Sequence, residues 1–186
     1  MKPNAWLAAL VLAVLPAVAQ ARGAVNAHPA CAQVQVAFTP GDDIEALIVR
    51  RIAAARENVR MQAYLFTNAR IARALFGALH RKVAVEVIGD AGEFADGGLP
   101  WLIPLARAGA RVYLDASAAA SHNKIVIVDG DRAGASVVTG SYNFTRAAQE
   151  RNAENVVVIS GNRAITDRFV ANFLARRAES RPFAEP

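Results

Sequence analysis

The chain has few of the residues that staple small proteins together. Cysteine occurs once, at Cys31, so no disulfide can close within the chain and only a bridge between two copies could use it. Histidine occurs three times, at His28, His80 and His122. No group of His, Cys, Asp and Glu has metal-ligand spacing, which sets an expectation of no metal and no cofactor. Lysine is equally scarce: Lys2, Lys82 and Lys124 are the only three among 21 basic residues, and arginine supplies the rest. No internal repeat and no linker divides the chain. Beyond the first 21 residues there is no amphipathic segment of the kind that lies in a membrane interface, which argues against lasting membrane association.

What remains is a chain of one-domain size, 186 residues, 54% hydrophobic and 20% charged, far from the composition of a disordered protein. Its formal charge of +5 is carried mainly by arginine. The planar guanidinium fork suits bidentate contact with phosphate oxygens, although an arginine-rich solvated surface would give the same composition.

The N-terminus stands apart. Lys2 precedes an apolar run from Ala5 to Ala19, and Ala19, Gln20 and Ala21 form a small-x-small cleavage pattern. The run is shorter than the roughly 20 residues of a spanning helix and Pro16 interrupts its end, so a signal peptide over 1–21 is expected rather than an anchor. Cleavage near Ala21 would release a periplasmic or secreted protein. A loose segment follows over 22–33, in which Cys31 reads as a buried or idle thiol, and a catalytic domain over 34–180.

Within that domain, Val34–Phe38 alternates like a strand and Asp43–Arg56 carries apolar residues at helical spacing. A strand over Val59–Phe66, a helix over Ile71–Leu79 and a strand over Val83–Ile88 follow. Gly89–Gly98 reads as a loop, Trp101–Ala108 as a helix and Ala110–Leu114 as a strand. His122–Asp129 and Ser136–Thr139 form a hairpin, Asn155–Ile159 is a strand and Arg163–Glu179 a helix. Strands alternate with helices first and a hairpin comes later, so the class is α/β, with a mixed β-sheet flanked by helices on both faces.

The chemistry concentrates in His122-Asn123-Lys124 and in Gly140-Ser141-Tyr142-Asn143. On a strand His122 and Lys124 would share one face about 7 Å apart along the chain, close enough to address one anion. Ser141 and Asn143 are again two apart, and Gly140 would let the backbone approach a ligand closely. The set supplies a nucleophile or general acid, a fixed positive charge and neutral donors, as in-line attack on a phosphodiester requires. Asp129 lies at an odd offset from His122 and should face away, as a structural acceptor. A bare His-x-Lys carries little weight alone: His80-Arg81-Lys82 ends a helix and has no companion motif.

These residues resemble the His-x-Lys-x4-Asp and Gly-Ser-x-Asn motif of the phospholipase D superfamily. Arg60 to Thr67, Gly140 to Thr145 and Asn152 to Asn155 are similar to segments of its small bacterial endonucleases, the Nuc type. The likeness covers roughly Val34 to Phe173. It departs from the family in a longer spacer between Asp129 and Gly140, whose turn should lie roughly 20 Å from His122 at about 3.3 Å per residue.

The resemblance implies a phospholipase-D-like fold with one motif per chain. It also implies hydrolysis through a phosphohistidine, which needs two motif histidines, one to attack and one to protonate the leaving oxygen. This chain has one, so a homodimer with a shared active site is expected. Ser141 would support the phosphate site and Glu154 would accept a hydrogen bond from histidine. The expected substrate is nucleic acid, with Arg60, Arg70, Arg73, Arg146 and Arg151 as candidate backbone contacts. A phospholipid headgroup is the alternative substrate, and a catalytically dead nucleic-acid-binding module a more remote one.

Overall fold

The structure, a computed structural model, describes residues 31–184. The signal peptide expected over 1–21 and most of the segment 22–33 lie outside the described residues. Cys31, at their edge, is exposed and not buried.

The elements run β1 (Gln33–Thr39), α1 (Ile44–Ala53), β2 (Asn58–Ala63), α2 (Ala69–His80), β3 (Ala84–Asp90), α3 (Ala91–Ala95), α4 (Leu102–Arg107), β4 (Arg111–Asp115), β5 (Lys124–Val128), β6 (Ser136–Gly140), α5 (Arg146–Glu150), β7 (Glu154–Ser160), α6 (Arg163–Glu179) and β8 (Arg181–Pro182). Helices begin where a side chain can satisfy the first free amides. Asp43 caps α1, Asn68 caps α2, Thr145 caps α5 and Asn162 caps α6, each accepting from a backbone N–H in the first turn.

One eight-stranded sheet results, in the order β1-β7-β6-β5-β2-β3-β4-β8. β2, β3 and β4 are parallel neighbours, and the remaining pairs are antiparallel. Strand alternation sorts the side chains into two layers. Val59, Met61, Val85, Val87, Val126, Val128 and Val158 meet Ile44, Ile48, Ile52, Ile71 and Leu75 of α1 and α2. On the opposite face Ile88, Ile125, Ile127 and Val137 pack with Phe173 of α6. The sheet is therefore mixed and carries helices on both faces, as its sequence pattern requires.

α6 does not cover all of its face. At the β1 edge Val34, Val36 and Phe38 alternate with the buried Ala37 and are 62%, 56% and 56% exposed. Large apolar side chains in a row on an edge strand are unusual for a surface in water.

Several boundaries differ from the sequence expectation. The loop read over Gly89–Gly98 contains the end of β3 and the short helix α3, which starts because the Asp90 side chain accepts from Glu93 N. The strand read through Phe66 stops at Ala63, and Phe66 instead bridges to Phe144. β5 begins at Lys124, two residues after His122.

Two structural acceptors hold the end of the sheet remote from His122. The Asp129 carboxylate accepts from the backbone N–H groups of Arg56, Glu57 and Asn58 at 2.7–3.1 Å, which closes the turn between α1 and β2. Its own backbone sits at φ +50°, a left-handed conformation that aspartate tolerates better than most side chains. In the long β5–β6 turn, Asp131 takes Arg60 Nη2 at 2.9 Å and Asn58 Nδ2 at 3.0 Å. The longer spacer thus adds an anchor at the periphery.

Candidate active site

The C-terminal ends of β2, β3 and β6 and the starts of β5 and β7 meet at one end of the sheet. His122 sits there on the loop before β5, exposed, and three hydrogen bonds fix that loop. Ser121 N donates to Asp90 Oδ2 at 2.7 Å, Asn123 Nδ2 donates to Gln62 Oε1 at 3.0 Å, and Tyr64 N donates to the Asn123 carbonyl at 3.0 Å.

Because β5 starts at Lys124, strand alternation does not bring His122 and Lys124 together. The lysine folds back instead. Its Nζ donates to the His122 carbonyl at 3.1 Å and lies 2.9 Å from Nδ1 and 3.0 Å from Nε2. Near-equal reach to both ring nitrogens places the ammonium over the imidazole face. An in-plane approach midway between them would collide with the carbon that joins them. The in-plane lone pair and N–H therefore stay open for attack and proton transfer, while the charge sits beside the ring.

Lys124 is 7% exposed. Burial lowers its pKa from the ordinary lysine value, and the nearby Glu154 carboxylate opposes that shift.

Tyr64, just past β2, completes the wall of this corner. Its ring centroid lies 4.3 Å from that of His122 at a 57° tilt, and Lys124 Nζ stands 4.9 Å from the Tyr64 centroid. That geometry is a cation–π contact. A hydrogen bond to Glu93 raises the Tyr64 pKa and ties the phenol to α3. Sequence reasoning passed over Tyr64, because its contact depends on the β2–β5 register that pairs Ala63 with Lys124.

Asn143 arrives on the loop after β6. Its neighbours anchor it: Tyr142 and Phe144 are buried, and the Phe144 carbonyl accepts from Thr67 N and Asn68 N at 3.0 and 2.9 Å. Its Oδ1 is buried without a hydrogen-bond partner among the described residues. Left unmet by any ligand or water, such an orphan costs about 1–3 kcal/mol.

Ser141 donates from Oγ to Glu154 Oε2 at 2.5 Å and accepts from Asn155 N at 3.0 Å. The other Glu154 oxygen accepts from Asn152 Nδ2 at 2.9 Å. Within one chain Glu154 is thus held by serine and asparagine, and its hydrogen bonds do not include His122. The role of Gly140 also differs from the one anticipated. A Cβ there would lie 2.1 Å from the Asn155 carbonyl, so the close approach it allows is to the backbone of β7 and not to a ligand.

The five arginines separate. Arg60 is committed to Glu86 and Asp131, with Arg111 and Arg177 on the same buried Glu86 carboxylate. It is a structural ion-pair residue, which withdraws it from the candidate contacts. Arg70, Arg73 and Arg146 line one cleft, and Arg151 is exposed beyond α5. Among the described residues no three His, Cys, Asp or Glu side chains gather as a metal site.

Comparison with known proteins places this geometry. The model described as the phospholipase D-like domain of cardiolipin synthase matches residues 48–177. "Phospholipase D" of Rickettsia bellii is 36% identical over 148 residues, covering 80% of this chain and 71% of the relative. "Mitochondrial cardiolipin hydrolase" of Xenopus laevis is 32% identical over 117 residues, 63% of this chain and 53% of that protein. Among solved structures, Nuc of Salmonella typhimurium, a phospholipase D family member, superposes with a TM-score of 0.76 at 31% identity. That match covers 83% of this chain and 99% of Nuc.

Proposed function

The chain belongs to the phospholipase D-like family of phosphodiesterases, and on that premise we propose that it is a metal-independent endonuclease acting on DNA or RNA as a homodimer. The observation that carries the chemistry is the contact of Lys124 Nζ with the face of His122 at 2.9–3.0 Å, with Asn143 on the anchored loop after β6 at the same end of the sheet. A phosphate seated there would meet a nucleophile, a fixed cation and an amide donor at once.

In the first step a neutral His122 nitrogen forms a bond to phosphorus. The bond to the leaving oxygen breaks, and that oxygen takes a proton from the His122 of a second copy. In the second step water attacks phosphorus, gives its proton back to that second imidazole, and the phosphorus–nitrogen bond breaks. Lys124 and Asn143 hold the non-bridging oxygens throughout.

Two observations support the dimer. The chain supplies one motif histidine where this sequence of steps uses two. The exposed apolar row of Val34, Val36 and Phe38 also runs along β1 toward the site: Phe38 pairs with Asn155, whose amides donate to Ser141 Oγ. A second copy covering that row would remove apolar area from water next to the catalytic residues. Export through the N-terminal segment would place the enzyme in the periplasm or outside the cell. Among the described residues no helix is long and apolar enough to cross a membrane.

The likeness to the Nuc type favours nucleic acid. The relatives named phospholipase D favour the second reading, a lipid headgroup with the same chemistry. Plasmid DNA and phosphatidylcholine vesicles, each incubated with the protein in excess EDTA, separate them. Nicking and degradation of DNA without headgroup release is the expected result. Activity that returns only with a divalent metal would remove the mechanism.

A further inference from the structure

Three arginines from two helices converge on a cleft of about 410 Å³, walled in part by the turn that holds the loop carrying Asn143. Its walls are Glu45 of α1, the turn from Thr67 to Arg70, Arg73 of α2, and Arg146 and Glu150 of α5. Thr67 N and Asn68 N donate to the carbonyl of Phe144, the residue after Asn143, so cleft and catalytic corner share one wall. The charges inside it do not cancel. Arg70 pairs with Glu45, whose other oxygen accepts from Asn68 Nδ2, and Arg146 Nε pairs with Glu150 at 2.6 Å. Arg73, exposed one turn into α2, has no carboxylate partner among the described residues. The twelve-residue α2 opens its N-terminus onto the same cleft and carries no acid in its first turn, so the positive helix pole adds to the guanidinium.

We infer that this cleft seats the phosphate adjacent to the scissile one in a nucleic-acid strand, with Arg73 as its principal contact. The inference rests on the nuclease reading. Three guanidiniums face two carboxylates, which leaves one positive charge for the one negative charge of a diester. The ion pairs engage Arg70 with Glu45 and Arg146 with Glu150, which leaves Arg73 as the uncommitted guanidinium for the strand. A lipid or small molecule with a single diester places its phosphate at His122 and has no second diester to offer the cleft. Occupancy of the cleft is therefore a test for a polymer.

The experiment compares wild type, Arg73→Glu and Arg73→Lys on two substrates: linear DNA over a range of salt, and bis(4-nitrophenyl) phosphate, which has one diester. For DNA, Arg73→Glu should raise KM about tenfold at low salt and flatten the dependence of log affinity on log salt by about one. Arg73→Lys should restore most of the loss. On the small diester all three should agree in kcat/KM within about twofold, which also shows that the variants fold. Unchanged KM and salt slope on DNA, or an equal loss on both substrates, overturns the cleft assignment alone. A wild type that hydrolyses the small diester and never DNA overturns the nuclease reading and the cleft with it.

Discussion

The catalytic corner depends on a lysine that is both buried and charged. Burial pushes the Lys124 pKa down and Glu154 pulls it back up, with burial the larger effect. Rate should therefore fall on the alkaline side below pH 10.5, the ordinary value for lysine, as the ammonium loses its proton. Stability moves the other way. Between the lowered native pKa and that ordinary value the unfolded chain binds more protons at this residue, so its contribution to stability rises with pH. The alkaline loss of rate should then occur without unfolding. In Lys124→Arg the guanidinium stays charged and the alkaline limb should move up by at least a pH unit, at some cost in kcat from altered geometry. A pH–rate profile alongside circular dichroism reads both quantities. An alkaline limb that does not move in the variant would assign it to another group.

At the scale of elements, Asp129 of the motif acts far from the phosphate. Asp129→Ala leaves three backbone N–H groups without their acceptor and should cost about 3 kcal/mol in urea unfolding, while Asp129→Asn, which keeps one carbonyl oxygen, should cost about half as much. Neither should greatly change kcat of the folded fraction, because the carboxylate faces the α1–β2 turn. The helical and strand periodicities made the larger elements legible, from the Leu47 and Ile52 face of α1 to the alternation of Val34, Val36 and Phe38 in β1. Short elements were not: α3 and α5 have five residues each, too few for a period, and exist because Asp90 and Thr145 cap them. β8 has two residues and forms only where it meets β4. The residues of the site were legible as a spacing, His-x-Lys and Gly-Ser-x-Asn, but its geometry was not. Strand alternation suggested that His122 and Lys124 share a face, whereas the lysine folds back over the ring from the first residue of β5. Tyr64 and the purpose of Gly140 needed strand register, which no local pattern encodes.

At the scale of the whole molecule, the described chain presents half of what two-histidine chemistry needs, together with an apolar row that a partner could cover. Val36→Asp and Phe38→Asp replace exposed side chains, so neither should unfold the monomer. Each should shift the protein from dimer to monomer in sedimentation and lower kcat/KM by about a hundredfold or more, the usual worth of a lost general acid. Monomers that keep full activity would separate the apolar row from the chemistry. The central claim, one site built from two copies of His122, is tested most directly by a heterodimer. Wild-type and His122→Ala chains carrying different tags are co-expressed, the mixed species is purified through both tags, and its turnover on DNA is compared with that of the wild-type homodimer. A shared site predicts turnover near zero in the heterodimer, since either histidine lost disables the single centre; half the wild-type rate would mean that each chain works alone and would contradict the account.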